Sequence, residues 1–516
     1  MQRVTVLVGA TACAALAGAG LLADPGLLAW PGAEVYGHAW VQWWHGLALP
    51  AWPEGTELVE AASSWPVIDP AMTALAAVLG RLLGGVVAWN LLALAAIGLA
   101  FAGGAAVAHR AGGDPVVGGT VLALAPIALG SVASGLTEDW AWGLAALGLA
   151  ALHGRRLWLG GVLIGVCAWF GLYLALGTAV AALVVGVSVM HRDPGRRPQV
   201  LLAGGVALVA ALPALWLQGD RLDGVGHRSG ELSTAVEPAW RVNPWHGADL
   251  ASFVLPGGAG LGGDELLRLH PTYLGWVALA LAVVGLVRGG PRLRWALVLG
   301  LGLVVAPGAA FRWQGTPLGV DNPVVALLQA LPYGDLPNHW ARFLVPASVG
   351  LAALAARGAM HLGRFAPAAA VLVVLELVLV SPAPLPLPTT DARIDDLWYE
   401  LAELEPGGAV LVVPVGGPGI HHQRPLYEQR AHGHPLALRP NQPGRSRASR
   451  TELGRWLAGL SQPQPPPPPA APDTEALAAA GVGLVAVRSS HVDAVVEVLG
   501  PPDVEAAGGA AWSMLD

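Results

Sequence analysis

Long apolar stretches separated by short polar turns recur along the first three quarters of the chain. They fall at about 4–23, 85–108, 115–134, 140–153, 156–170, 172–190, 199–217, 271–288, 293–309, 342–357 and 365–381. Each is near the length a bilayer requires once tilt and flanking residues are allowed. After Ser381 the pattern changes. A proline-rich run from Pro382 to Pro388 reads as a stiff extended linker, because proline fixes φ and favours polyproline II. Beyond it, helical periodicity at 394–404, 451–460 and 474–480 alternates with strand-like runs at 409–415 and 482–488. The prolines at 465–469 supply no amide donors and read as a disordered spacer loop. The expected fold is an all-α polytopic membrane bundle of about 11 transmembrane helices, with a small C-terminal extracytoplasmic α/β domain.

This pattern divides the chain into a transmembrane domain at 1–382, a linker at 383–390 and an α/β domain at 391–516. The first of these includes external loops at 24–84, 218–270 and 310–341. Residues 1–23 read as a retained signal anchor, since the apolar run is long and further spans follow.

Charge orients the bundle. Starting from Arg3, alternate turns carry Arg110; Arg155 and Arg156; Arg192, Arg196 and Arg197; Arg288, Arg292 and Arg294; and Arg357 and Arg364. The intervening segments carry Glu54, Glu57, Glu60, Glu138 and Asp139. By the positive-inside rule the amino terminus is cytoplasmic and the tail is outside. Composition agrees, for 54% hydrophobic and 12% charged residues with a mean hydropathy of +0.56 exclude a soluble domain of this length. All 28 basic residues are arginine, which suits a GC-rich bacterial genome and hence a bacterial inner (cytoplasmic) membrane. No basic patch points to nucleic acid. Cys13 and Cys167 both fall in apolar stretches, so neither a disulfide framework nor a CxxC metal site is available.

The densest chemistry lies in the first external loop. On a helix from Glu34 to His45, Glu34, His38, Gln42 and His45 share one face, while Tyr36, Trp40, Trp43 and Trp44 share the other. Such a helix is expected to lie on the outer membrane surface on its aromatic side and to aim Glu34, His38 and His45 at a cavity where a lipid-borne substrate arrives. An interfacial anchor whose polar face meets only water fits the same spacing. The spacing is not HExxH, so a zinc site is disfavoured.

Several short motifs resemble the bacterial GT-C-type integral membrane glycosyltransferases and their uncharacterised relatives. They are an acidic residue after the first span, Gly37-His38-Ala39-Trp40, Ile68-Asp69-Pro70, Ala88-Trp89-Asn90-Leu91 and Gly135-Leu136-Thr137-Glu138. Further likeness runs through Ala248 to Pro256, Tyr273-Leu274-Gly275-Trp276, Leu331-Pro332-Tyr333, Arg342-Phe343 and the tail segments that begin at Trp398, Val410 and Gly481. The resemblance implies a transferase that takes a sugar from a polyprenyl-phosphate donor at the outer leaflet. Glu34 stands where relatives usually show the aspartate that acts as general base, and its longer arm would reposition the acceptor. Asp69 joins His38 and His45 as substrate-binding residues. Glu138 and Asp139 match an acidic turn that binds a divalent cation or acceptor hydroxyls; a helix-cap role suits them equally. Arg342 matches the arginine that grips the donor phosphate, and snorkelling at a span end is the alternative.

Glu376 is expected mid-span, protonated and bonded to a neighbouring helix. His421, His422, His432 and His434 form a candidate metal group in the tail, although histidines in flexible loops are often unligated. The glycines at 257–263 lack the strand–helix context of a phosphate loop. Two function classes fit: an outer-face glycosyltransferase, or a non-catalytic GT-C-like protein or transporter of a lipid-linked or cell-envelope component. The residues carry no signature of the sugar or the acceptor.

Overall fold

The computed structural model describes residues 2–30, 35–48, 69–154, 156–217, 247–256, 271–288, 292–330, 339–383, 385–405, 407–414, 423–438, 446–460, 462 and 464–514. The chain divides into two compact units. The first comprises Met1–Pro31, Val67–Ala76 and Val86–Thr390; the second comprises Gly32–Pro66, Ala77–Gly85 and Asp391–Asp516.

All eleven apolar stretches contain helix in the first unit. Among the described residues, six helical stretches are long and apolar enough to cross a bilayer: Arg3–Leu22, Gly85–Ala111, Leu172–Arg192, Pro194–Leu217, Trp340–Met360 and Gly363–Val380. The expected span at 115–134 is a pair, Pro115–Ala123 and Pro126–Ala133, bent by 40°. Pro126 opens the second half with no amide to donate across the break, which is the local cause of the bend. Trp142–His153, Leu157–Trp169, Trp276–Val287 and Leu293–Val305 are shorter than the roughly 20 residues a bilayer requires. Among the described residues, length and composition alone thus bear out six of the expected spans, or seven with the bent pair.

The helices pack through small residues. A Cβ on Gly358 would collide with the Leu281 carbonyl, and one on Gly285 with the Leu354 carbonyl, so helices Trp276–Val287 and Leu344–Met360 lie backbone to backbone. This close approach leaves Leu344–Met360 in the most enclosed of the six long helical stretches.

The arginine-bearing turns converge at one end. Arg357 donates to the Ala111 carbonyl, and the Asp114 amide donates to Ala356 O at 2.9 Å. Arg196 donates to Gly154 O, and the His153 and Trp295 rings are 6.5 Å apart. Glu138, Asp139 and Arg342 meet at the other end, so the alternation read from the sequence is a real separation of charge within the unit.

The segment expected as a stiff extended linker packs into this unit. Ala383, Leu385 and Leu387 are buried, the Leu387 amide donates to Ala17 O at 2.9 Å, and Thr389–Thr390 pairs antiparallel with Leu27–Leu28. Residues 70–83, read as external loop, form the helix Pro70–Leu83. Proline at its first position loses no helical hydrogen bond there.

The second unit is built on a four-stranded sheet in the order Ala409–Val413, Val482–Arg488, Gly509–Ser513, Val504–Ala506. The first two strands, both legible as apolar runs, are parallel neighbours, with Val410 opposite Leu484 and Val413 opposite Val487. Strand side chains alternate between faces. Leu411, Val413, Val485 and Val487 pack on one side against Leu453, Trp456, Leu457 and Leu477. Val410, Val412, Leu484 and Ala486 pack on the other against Leu397, Trp398, Leu426 and, from helix Val35–Ala48, Trp40 and Trp44.

That last contact corrects the expectation of a membrane-surface helix. Val35–Ala48 is helical as predicted, but Tyr36, Trp40 and Trp44 are buried in the core of the C-terminal domain, and His38 and Gln42 are buried as well. The proline run is not a loose spacer throughout, since Pro466 sits against Gly459 where a Cβ would lie 2.5 Å from its Cδ.

Candidate functional site

The end of the first unit opposite the arginine turns holds a buried polar cluster. Helix Pro126–Ala133 ends at Ser134, and Gly135, at φ +76°, reverses the chain into the short 3-10 turn Thr137–Asp139. A left-handed residue at this point favours glycine. The turn presents Glu138 and Asp139 to Arg342, which lies in the turn Trp340–Phe343 just before helix Leu344–Met360. Arg342 Nη1 donates to Glu138 Oε1 at 3.3 Å, and its Nε lies 3.8 Å from Asp139 Oδ2. The guanidinium stacks over the Tyr173 ring, 5.0 Å from its centroid. Tyr173 Oη in turn accepts the His339 amide at 3.1 Å, anchoring the segment that carries Arg342.

Asp69 enters the same cluster. It precedes helix Pro70–Leu83, accepts the Thr73 hydroxyl at 2.8 Å, and accepts the Thr137 hydroxyl through its other oxygen. Arg342, Asp139 and Asp69 are only 6%, 1% and 2% exposed, which rules out a snorkelling arginine.

The electrostatics are acid-rich, with Glu138 and Asp139 facing one guanidinium. Burial pushes the Asp139 carboxyl up to about 6, against the pull of Arg342 and with a further push from Glu138. Its Oδ2 accepts the Ser131 hydroxyl at 3.0 Å, while Oδ1 has no hydrogen-bond partner among the described residues. For a divalent cation, Glu138 and Asp139 are the donors on hand. Among the described residues no group of three carboxylate, histidine or cysteine side chains converges to hold one, so no step is derived through a metal.

Asp69, Glu138, Asp139 and Arg342, four of the residues expected from the sequence, are thus brought together. His38 is buried in the second unit. Glu34 and the side chain of His45 lie outside the described residues, as do His421, His422 and the glycines at 257–263. Tyr173 and Ser131 were not singled out in the sequence, and Thr137 was quoted only as part of the motif that ends at Glu138. A tyrosine two residues after Gly171, at the start of an apolar stretch, was the available signal.

Two other expectations resolve structurally. Glu376 accepts the Tyr273 hydroxyl and the amides of Trp276 and Val277, so it caps the start of helix Trp276–Val287 from a neighbouring helix. It sits four residues from the end of Ala366–Val380, not at mid-span. His432 is buried and accepts the His434 amide through Nδ1 at 3.1 Å, while its Nε2 has no hydrogen-bond partner among the described residues; the half-buried His434 pairs through Nε2 with Leu401 O at 2.7 Å.

No protein-family model and no curated protein matches the chain. Among solved structures, the fold is that of the GT-C-type integral membrane glycosyltransferases. The arabinofuranosyltransferase AftD from mycobacteria matches at 19% identity and a TM-score of 0.52, over 95% of this chain and 35% of its own. Its R1389S mutant matches at 18% and 0.55, over 95% of this chain and 37% of its own. The archaeal oligosaccharyltransferase AglB from Archaeoglobus fulgidus, solved with an inhibitory peptide and a dolichol-phosphate, matches at 12% and 0.51, over 97% of this chain and 71% of its own. The chain spans about a third of the length of the arabinofuranosyltransferase.

Proposed function

We propose that this protein transfers a sugar from a polyprenyl-phosphate donor to an acceptor at the outer face of a bacterial inner membrane. In this reading all eleven helical stretches cross the bilayer, the amino terminus is cytoplasmic and the C-terminal domain is outside. The observation that carries it is the buried cluster of Arg342 with Glu138, Asp139 and Asp69 at the end of a GT-C-type bundle away from the arginine turns. A buried guanidinium with a planar five-donor fork suits the phosphate of a lipid carrier, and the two carboxylates and Tyr173 hold it in place. Asp69, His38 and His45 are assigned to substrate binding.

Glu34 acts as the general base. It takes the proton of the acceptor hydroxyl, whose oxygen attacks the anomeric carbon; the bond from that carbon to the phosphate oxygen breaks, and the polyprenyl phosphate departs with its charge matched by Arg342. The tail contributes indirectly, because the helix that follows Glu34 is seated on the tail's sheet.

The test is transfer from labelled polyprenyl-phosphate sugars by the full chain in proteoliposomes. Glu34→Gln keeps size and hydrogen bonding but removes the base, and should lower turnover about 10² to 10⁴-fold with little loss of donor binding. Turnover unchanged in that variant removes Glu34 from the role. Donor binding without transfer by the wild type returns the protein to the non-catalytic or transporter class.

A further inference from the structure

The opposite end of the first unit holds a second concentration of charge that the transfer reaction does not use. Arg294, the second residue of helix Leu293–Val305, is 3% exposed, yet neither its Nε nor its Nη2 has a hydrogen-bond partner among the described residues. Its charged neighbours are cations. Arg192 and Arg357 lie within electrostatic range of it, and His153 is within range of Arg294, Arg110, Arg192 and Arg196. The Arg294 guanidinium packs 5.6 Å from the centroid of the Trp295 ring, and that ring is 6.5 Å from the His153 ring, whose Nδ1 also has no partner.

A desolvated cation is tolerated only when an opposite charge meets it, and like charges around it raise the cost. Among the described residues, four turns deliver cations to one place and none delivers a paired carboxylate. Asp114 spends its side chain on the amides of Val116 and Val117, and Asp193 is exposed at the rim. The Leu293–Val305 helix adds its own positive end, because Arg294 lies in its first turn.

We propose that this cluster binds the phosphodiester of an anionic phospholipid, held by Arg294 at the bottom and by Arg192 at the rim. The non-ester oxygens of a phosphodiester match the fork of Arg294 in pairs. The acyl chains would run along the bundle's apolar outer surface, where Leu293 and Leu297 are exposed. Lipid is preferred to a soluble phosphate for that reason, and basic pockets between transmembrane helices are known to take such headgroups.

The test uses the full chain, stripped of lipid in a neutral detergent, and then given phosphatidylglycerol, phosphatidylcholine or inorganic phosphate. Native mass spectrometry and thermal melting are the readouts. Phosphatidylglycerol should remain bound and raise the melting temperature, phosphatidylcholine should do neither, and Arg294→Gln should weaken retention about tenfold or more, as loss of one charge-assisted partner does. Arg192→Gln, at an exposed rim position, should weaken it less. In the lipid-free state Arg294→Gln should melt no lower than wild type, because it removes a cation from an uncompensated group; a purely structural arginine would show the reverse. Equal retention of the two lipids, or retention unchanged in both variants, overturns the site. Full replacement of phosphatidylglycerol by millimolar inorganic phosphate overturns the lipid assignment in favour of a soluble anion.

Discussion

Arg342 shows how the environment of one side chain decides its chemistry. Its position before an apolar stretch was legible in the sequence, but snorkelling and phosphate binding fitted that position equally. Burial against Glu138, Asp139 and Tyr173 removes the snorkelling reading, and donor binding is the proposal that the following variant tests. Arg342→Ala should weaken donor binding more than it slows the bound complex, and it should also destabilise the protein by roughly 3 kcal/mol, since two buried carboxylates would lose their cation; donor titration and thermal melting measure the two effects. Asp139 makes the same site sensitive to pH. Its folded value of about 6 lies above the ordinary carboxylate value, so it is protonated below about 6 and gains a negative charge beside Arg342 as pH rises through that point. Donor affinity should therefore fall across pH 6 in the wild type and stay level in Asp139→Asn; parallel profiles in the two would separate Asp139 from donor binding.

At the scale of elements, helix Val35–Ala48 carries the main lesson. Its periodicity identified the helix and both of its faces, yet the aromatic face meets the tail's sheet instead of lipid headgroups. Nothing local distinguishes these fates, because tryptophan is suited to both. The choice is made by partners some 380 residues away in sequence: Trp40 Nε1 donates to Gln429 Oε1 at 2.6 Å, and the Gly37 amide donates to Gln423 Oε1 at 2.9 Å. Gly37 is the residue that permits this approach, since a Cβ there would overlap the Gln423 amide. Trp40→Ala should cost about 3–5 kcal/mol by emptying a core position, and hydrogen exchange should rise in strand Val482–Arg488. His432 sets a pH limit on the same domain. Burial and the neighbouring His434 hold its imidazole down to about 3, so the neutral ring stabilises the fold above its unfolded value of about 6.5, and that stability is lost as pH falls toward 3. The drop in melting temperature between pH 7.5 and 4.5 should shrink in His432→Gln.

For the whole molecule, topology is the decisive quantity. Arg110, Arg192, Arg294 and Arg357 belong to turns that gather at one end of the first unit, which is the arrangement that positive-inside charge bias demands. With Cys13 and Cys167 replaced by alanine, a cysteine at the exposed Ala471 should react with an impermeant maleimide in intact cells and one at the exposed Gly195 should not. The reverse pattern would invert the orientation. By itself the sequence determined the membrane class, the positions of the apolar helices, the alternation of charged turns and the strands at 409–413 and 482–488. Those features follow from local periodicity and composition, which each segment carries within itself. The tertiary structure alone decided that residues 35–48 complete the tail's core, that 383–390 pack with the bundle, and that Asp69, Glu138, Asp139 and Arg342 form one cluster. Each of these depends on which distant surfaces bury one another, and burial is a property of the packed chain and of no single segment.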